Sequence, residues 1–401
     1  MQVVGVIVEY NPFHNGHAYH VQQAKKITGA DAVIAVMSGQ FLQRGEPALV
    51  DKWTRTKMAL ASGVDIVIEL PYVFSTAQAN QFAYGAISLL DAMHCQSFAF
   101  GSEDGSITPF INTVTLIKDH NEEYNALIKE YVRSGISYPK ALHEAFSQLK
   151  EHTQGHYVDL DKPNNILGLQ YIEAVRKRHS TMQPVTIQRL GAQYYDDADK
   201  KSSIASATGI RKALFEENDL VQVEQFMPEA TFNELQNWLS NYGTFANWDK
   251  FWPLLQFAIL RHTPEQLTTF ADVSEGLQYA LIKHAKTSNS YMEFMTALKS
   301  KRYTWTRLQR IVTHIYTGVT KYQLHAFNEP TYIRLLGMTE VGQRYIRLQK
   351  KNLELPLISR VAASKDELLA IDLHATQMYG LGIQLNTNKK IADDYKTPPI
   401  R

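Results

Sequence analysis

The apolar run Val3-Val4-Gly5-Val6-Ile7-Val8 passes directly into Glu9-Tyr10-Asn11-Pro12-Phe13-His14-Asn15-Gly16-His17. A short run with no polar alternation is a strand covered on both faces, the situation of a central strand in a parallel sheet. The Asn/Pro/Gly turn ends it, and an amphipathic stretch at 17–27 follows. A helix opening at the end of such a strand presents unpaired N–H groups and a partial positive charge. Gly16 allows close backbone approach, and His14 and His17 can donate to phosphate oxygens, so the segment reads as a phosphate site. The competing reading is a turn whose histidines only cap the helix; the strand before it and the helix after it favour the phosphate site.

The rest of the first half repeats the alternation. Ala32–Met37 and Val64–Leu70 are further apolar runs, Ser97–Phe100 is a short one, and Val185–Arg189 returns to a strand pattern. Helical stretches at 52–62, 81–93 and 164–178 separate them, the last preceded by Pro163. This predicts an α/β domain, a Rossmann-like doubly wound parallel sheet, over 1–225, with a helical insertion at about 108–160. Beyond Phe226 only helical periodicity is evident, at 252–260, 275–286, 291–298 and 306–316, so 226–401 is expected to be a mostly α-helical domain. The polar tail from Lys389 is expected to be loosely held.

Composition narrows the function classes. The 401 residues carry a net charge of +1, which leaves room for a nucleic-acid partner only through a local basic patch. One cysteine, Cys95, excludes an internal disulfide and a cysteine zinc site. There is no metal-ligand spacing such as H-E-x-x-H, no signal-peptide pattern and no apolar stretch of membrane-spanning length, so a soluble, cytoplasmic protein without a membrane partner is expected.

His14-Asn15-Gly16-His17 is similar to the H-x-G-H signature of the nucleotidyltransferase superfamily, whose members attack the α-phosphate of a nucleoside triphosphate. That superfamily carries a second motif at a helix start, (I/S)-S-S-T-x-I-R. In Ser203-Ile204-Ala205-Ser206-Ala207-Thr208-Gly209-Ile210-Arg211, Thr208, Ile210 and Arg211 match, while Ala207 stands where a serine is common. With EYNPFHNGH, MSGQFLQRGEPA at 37–48, FGSED at 100–104, KPNNILGLQYI at 162–172, SKRYTWTRLQRIVTHI at 300–315 and YIRLLGM at 332–338, the chain resembles the bacterial tRNA(Met) cytidine acetate ligase family over most of its length.

The resemblance implies an enzyme that adenylates acetate with ATP, with Mg²⁺ expected, and passes the acetyl group to the wobble cytidine of elongator tRNA(Met). It implies an ATP loop formed by Ile7, Val8, Glu9, Tyr10, Asn11, Pro12, Phe13, His14, Asn15, Gly16, His17, Ala18, Tyr19 and His20. Gly101, one of Asn164 and Asn165, Arg189 and Thr208 complete the implied nucleotide contacts. His14, His17 and Arg211 are the implied catalytic residues. Arg44, in the loop after the second apolar run, is a candidate contact for acetate or triphosphate; an exposed arginine in a connecting loop is the alternative. Lys299, Lys301, Arg302, Arg307 and Arg310 surround Tyr303 and Trp305, a mixture of cations and stacking surfaces suited to single-stranded RNA. A second basic run is Arg344, Arg347, Lys350 and Lys351, and solvated helix faces are the alternative for both.

Two other functions are open at this stage. One is a cofactor-forming nucleotidyltransferase with a small phosphorylated substrate. The other is a non-catalytic nucleotide- or RNA-binding protein, which retention of both motifs argues against. A class I aminoacyl-tRNA synthetase is disfavoured because no K-M-S-K-S-like loop is present. The sequence does not indicate an oligomeric state.

Overall fold

The computed structural model describes residues 1–151, 153–189, 204–216, 219–274 and 276–401. Its centre is a seven-stranded sheet in the order β5-β4-β1-β2-β3-β6-β7. Strands β1 (Val3–Val8), β2 (Ala32–Ser38), β3 (Ile66–Leu70), β4 (Ser97–Ser102) and β5 (Gln183–Gln188) run parallel to their neighbours among these five. β2 and β3 are buried along their whole length, which explains their unbroken apolar sequences. In β1, Gly5 makes room for a helix: a Cβ there would stand 2.5 Å from the Leu90 methyls.

The connecting helices are α1 (Asn15–Thr28), α2 (Lys52–Ala61), the single turn α3 (Tyr72–Ser75) and α4 (Ala79–Ala92). The expected insertion forms as α5 (Thr108–Asp119), α6 (Asn121–Arg133) and α7 (Tyr138–Lys150), before α8 (Pro163–Lys177) returns to the sheet. The chain moves outward from β1 through β2 to β3, then crosses back to β4 on the other side of β1. That reversal puts a crevice at the carboxyl ends of β1 and β4, where open α/β sheets bind ligands.

α9 (Ala207–Glu216) opens on Ser206, whose hydroxyl accepts from the Gly209 N–H at 3.0 Å. Ser203, read from the sequence as the start of this cap, lies outside the described residues, as does Glu275. The second half contributes α10 (Glu229–Tyr242), α11 (Trp248–Leu260), the single turn α12 (Pro264–Leu267), α13 (Leu277–Thr287), α14 (Tyr291–Leu298), α15 (Trp305–Thr317) and the short α16 (Lys321–His325). α17 (Glu340–Gln349) and the long α18 (Glu367–Thr387) complete it. No described helix is long and apolar enough to cross a membrane.

Two expectations are corrected. The second half is not free of strands: β6 (Ile333–Met338) pairs antiparallel with β3, and β7 (Leu357–Ile358) pairs parallel with β6. β6 places Arg334 opposite Glu69, so a strand with a charge near its start is stabilised by a partner that only the fold supplies. The tail from Lys389 is not loose. Asp394 is buried and ion-paired to Lys52 (3.0 Å) and Arg334 (3.5 Å), and the Met338 N–H donates to the Ile400 carbonyl at 2.9 Å.

Candidate active site

The crevice is a cavity of about 600 Å³. Its walls come from the end of β1 (Ile7, Val8, Glu9, Tyr10, Asn11), the start of α1 (His14, Gly16, His17, Tyr19, His20), the loop after β2 (Leu42, Gln43, Arg44, Glu46) and α4 (Ala79, Phe82). Gly101, Asn164, Arg189, Thr208 and Arg211 line the rest, with Phe100, Leu167, Tyr171 and Ile187 as apolar surface. The structure therefore gathers both sequence motifs around one space. Within the ATP-loop stretch, Pro12, Phe13, Asn15 and Ala18 do not line it. Phe13 is buried in the core below, while Asn15 and Ala18 border a separate groove on the outer side of α1.

His14 is the N-cap of α1, and its Nδ1 accepts from the Gly16 N–H at 3.0 Å. The His17 Nδ1 accepts from the His14 N–H at 3.3 Å, so the two imidazoles form a reciprocal capping box. Both rings are thereby tied to one tautomer: with Nδ1 occupied as an acceptor, the neutral imidazole carries its proton on Nε2. The rings stack with centroids 3.7 Å apart. Capping and phosphate binding are consequently not alternatives, because capping uses one nitrogen of each ring and leaves the other as a donor. Burial, aided by Arg189 and Arg211, pulls His14 down to about 3, and burial with His14 and His20 nearby pulls His17 well below the usual imidazole range. His20, one turn further along, is lowered to about 4 by burial and Arg189, and its Nε2 has no partner among the described residues.

Arg211 reaches over the loop from α9. It donates to the Asn11 carbonyl at 2.8 Å and pairs with Glu46 at 3.1 Å. On the opposite side Arg189 donates to the Asn164 Oδ1 at 3.2 Å, and Asn164 donates to Glu103 at 2.7 Å. This separates the two asparagines left open by the sequence. Asn164 lines the cavity, whereas Asn165 is buried and donates to the Asp159 carbonyl. Gly101 lies against Arg189, whose Cγ would be 3.3 Å from an added Cβ. Arg44 is exposed at the cavity edge.

Sequence reasoning missed the support beneath the loop. Arg55 of α2 is completely buried and donates to the carbonyls of Glu9 (2.8 Å), Ser38 (3.0 Å), Val50 (3.1 Å) and Gly39. One guanidinium thus ties the ends of β1 and β2 together. The loop carrying Arg44 and Glu46 is held at Gly45, whose carbonyl accepts from Trp248 Nε1 (2.8 Å) and the Thr313 hydroxyl (2.7 Å). Gly45 has φ +80°, and a Cβ would stand 2.6 Å from the Arg310 backbone nitrogen. No signal in the sequence marks Arg55, since a helix read from its periodicity gives no reason to bury a guanidinium.

The basic-aromatic cluster is only partly open. Lys299, Lys301 and Arg302 are exposed. Tyr303, expected as a stacking surface, is corrected: its ring is buried and covered by the Arg307 guanidinium at 5.1 Å. Arg307 also pairs with Asp272 at 2.9 Å, and Trp305 turns its ring N–H inward to Gln309. Arg310 is half-buried against the Gly45 loop, which joins this cluster mechanically to the cavity.

Comparison with known proteins agrees with this geometry. The model of the HIGH Nucleotidyl Transferase family matches residues 1–394. A tRNA(Met) cytidine acetate ligase of Lysinibacillus sphaericus is 59% identical over 402 residues, covering all of both chains, and one of Anoxybacillus flavithermus is 45% identical over 407 residues, again covering both fully. The crystal structure of Thermotoga maritima TmcAL bound with alpha-thio ATP superimposes with a TM-score of 0.90 at 32% identity, covering 100% of this chain and 99% of that one.

Proposed function

The chain belongs to the HIGH nucleotidyl transferase family, alongside the tRNA(Met) cytidine acetate ligases, and from that membership we propose that it activates acetate with ATP and acetylates a cytidine of tRNA(Met). In the first step an acetate oxygen attacks the α-phosphorus, the bond to the bridging oxygen breaks, and acetyl-adenylate and pyrophosphate form. In the second, the N4 amine of the wobble cytidine of elongator tRNA(Met) attacks the acetyl carbon, giving N4-acetylcytidine and AMP.

The observation that carries this reading is the capping box of His14 and His17. It aims two Nε2–H donors, fixed before substrate arrives, at a cavity that also holds Arg211. Charge developing on phosphate oxygens then meets preorganised donors, with no reorganisation cost at the moment of reaction. Arg211, held by Glu46, supports the departing pyrophosphate. No side-chain nucleophile is required, because acetate is itself the nucleophile. Gly101, Asn164, Arg189 and Thr208 hold the nucleotide on the β4–β5 side, and Arg44 receives the acid or the triphosphate at the rim. Mg²⁺ is expected as part of the nucleotide substrate. The one three-ligand group among the described residues, His143, Asp159 and Asp161, is not among the residues lining the cavity, so the ion would be held by phosphate oxygens and water. The tRNA approaches over Lys299, Lys301 and Arg302, continuous through α15 with the Gly45 loop.

Exchange of labelled pyrophosphate into ATP tests the first step, and mass spectrometry of nucleosides from tRNA(Met) tests the second. Exchange is expected to require acetate, and N4-acetylcytidine is expected to appear with ATP and acetate together. Exchange driven by a phosphorylated small molecule instead of acetate would establish the cofactor-forming alternative. Nucleotide binding without any exchange would make the chain a binding protein.

A further inference from the structure

Acyl transfer to a cytosine N4 leaves a proton to dispose of. The amine lone pair is delocalised into the ring, so the nitrogen becomes acidic only as it bonds to the acetyl carbon, and a base must stand beside it then. Resting on the ligase reading above, the cavity can be searched for that base. His14 and His17 are excluded, because each has Nδ1 occupied by a backbone N–H and presents Nε2 as a donor. Of the two carboxylates on the wall, Glu46 is paired with Arg211. Glu9 remains.

Glu9 follows the last residue of β1 and is held from two directions. Its carbonyl accepts from Arg55, and its Oε1 accepts from the Gln43 N–H at 2.8 Å. No described residue donates to the other carboxylate oxygen, and the side chain lines the cavity. Its bond to Gln43 sets it beside Arg44, the candidate contact for the acid, with Tyr171 also on the cavity wall, and so it borders the space where acid and amine meet. We propose that Glu9 is the general base of the transfer step. As N4 bonds to the acetyl carbon, the C–O bond to the adenylate phosphate breaks, its electrons leave with AMP, and the N4 proton passes to Glu9. Burial pushes the Glu9 carboxyl up, against the opposing Gln43 N–H and the Arg44 and Arg211 charges, which brings it nearer the working pH of a base.

The test separates the two half-reactions in the full-length protein. Glu9→Gln keeps the acceptor for the Gln43 N–H and removes the base. Single-turnover transfer from acetyl-adenylate to tRNA(Met) is expected to slow by roughly 100-fold or more, and at least about tenfold more than acetate-dependent pyrophosphate exchange, which loses only what Glu9 contributes to the ATP loop. The wild-type transfer rate should rise with pH and then level off, the Gln variant should be flat, and Glu9→Asp should restore part of the rate and of the pH dependence. Transfer by Glu9→Gln at the wild-type rate would mean that the departing phosphate takes the proton, and would overturn the proposal. Equal loss of exchange and transfer would overturn it too, assigning Glu9 to adenylation or to the loop. Absence of acetate-dependent exchange in the wild type is a different failure, since it removes the ligase reading and the base with it before any variant is made.

Discussion

At the scale of single residues, the histidines of α1 act as neutral donors. His14 and His20 have folded-state values of about 3 and about 4 against an ordinary 6.5, and His17 is also lowered. Above pH 6.5 folded and unfolded chains both carry these rings neutral, so the shift adds nothing there. As pH falls from 6.5 toward 4, the unfolded chain takes up protons that the folded one excludes. Stability therefore declines over that window, by about 1.4 kcal/mol per pH unit for each excluded proton. Urea unfolding of the nucleotide-free protein at pH 7, 6 and 5 measures this, and NMR should find no His14 or His17 imidazole titrating between pH 6 and 7; a normal titration there would refute the neutral-donor account. The pair was legible in the sequence, since H-x-G-H sits between an apolar strand and an amphipathic stretch. The tautomer was not legible, because it depends on which backbone N–H meets which ring nitrogen. Tyr303 shows the opposite error: alternation of arginine with aromatic residues looks the same whether the ring faces solvent or lies under a guanidinium.

At the scale of elements, the start of α2 is stabilised by charges drawn from four parts of the chain. Lys52 is buried and donates to both oxygens of Glu69 at 2.9 and 2.8 Å, with Asp394 at 3.0 Å and Arg334 beyond it. Burial alone would lower the Lys52 ammonium, but Asp394 and Glu69 outweigh it and keep the group charged. Replacing Asp394 by Asn leaves two buried cations facing one carboxylate, and breaking a buried pair in this way costs about 3–5 kcal/mol. Denaturant unfolding of Asp394→Asn checks this, and a loss below about 1 kcal/mol would show the network to be dispensable. The same network explains why β6 and the tail were misjudged. Arg334 and Asp394 look like solvent residues until each is placed opposite the other, and β7, at two residues, is too short to show any period.

For the whole molecule, the phosphate site is built in the first half and braced by the second. Trp248 and Thr313 hold Gly45, and β6 closes the edge of β3. The boundary near 225 is proposed as a division of labour between catalysis and RNA binding, and not as a folding boundary. A fragment of residues 1–225 is accordingly expected to give no cooperative unfolding transition and no ATP binding; a monomeric fragment that binds ATP would contradict this. Glu69 has a consequence during synthesis. Ile66–Leu70 is made long before Ile333–Met338, and in that interval β3 is an apolar edge open to any passing strand. A carboxylate near its end, without Arg334 opposite it until β6 is made, makes non-native pairing there unfavourable and guards the nascent chain against aggregation.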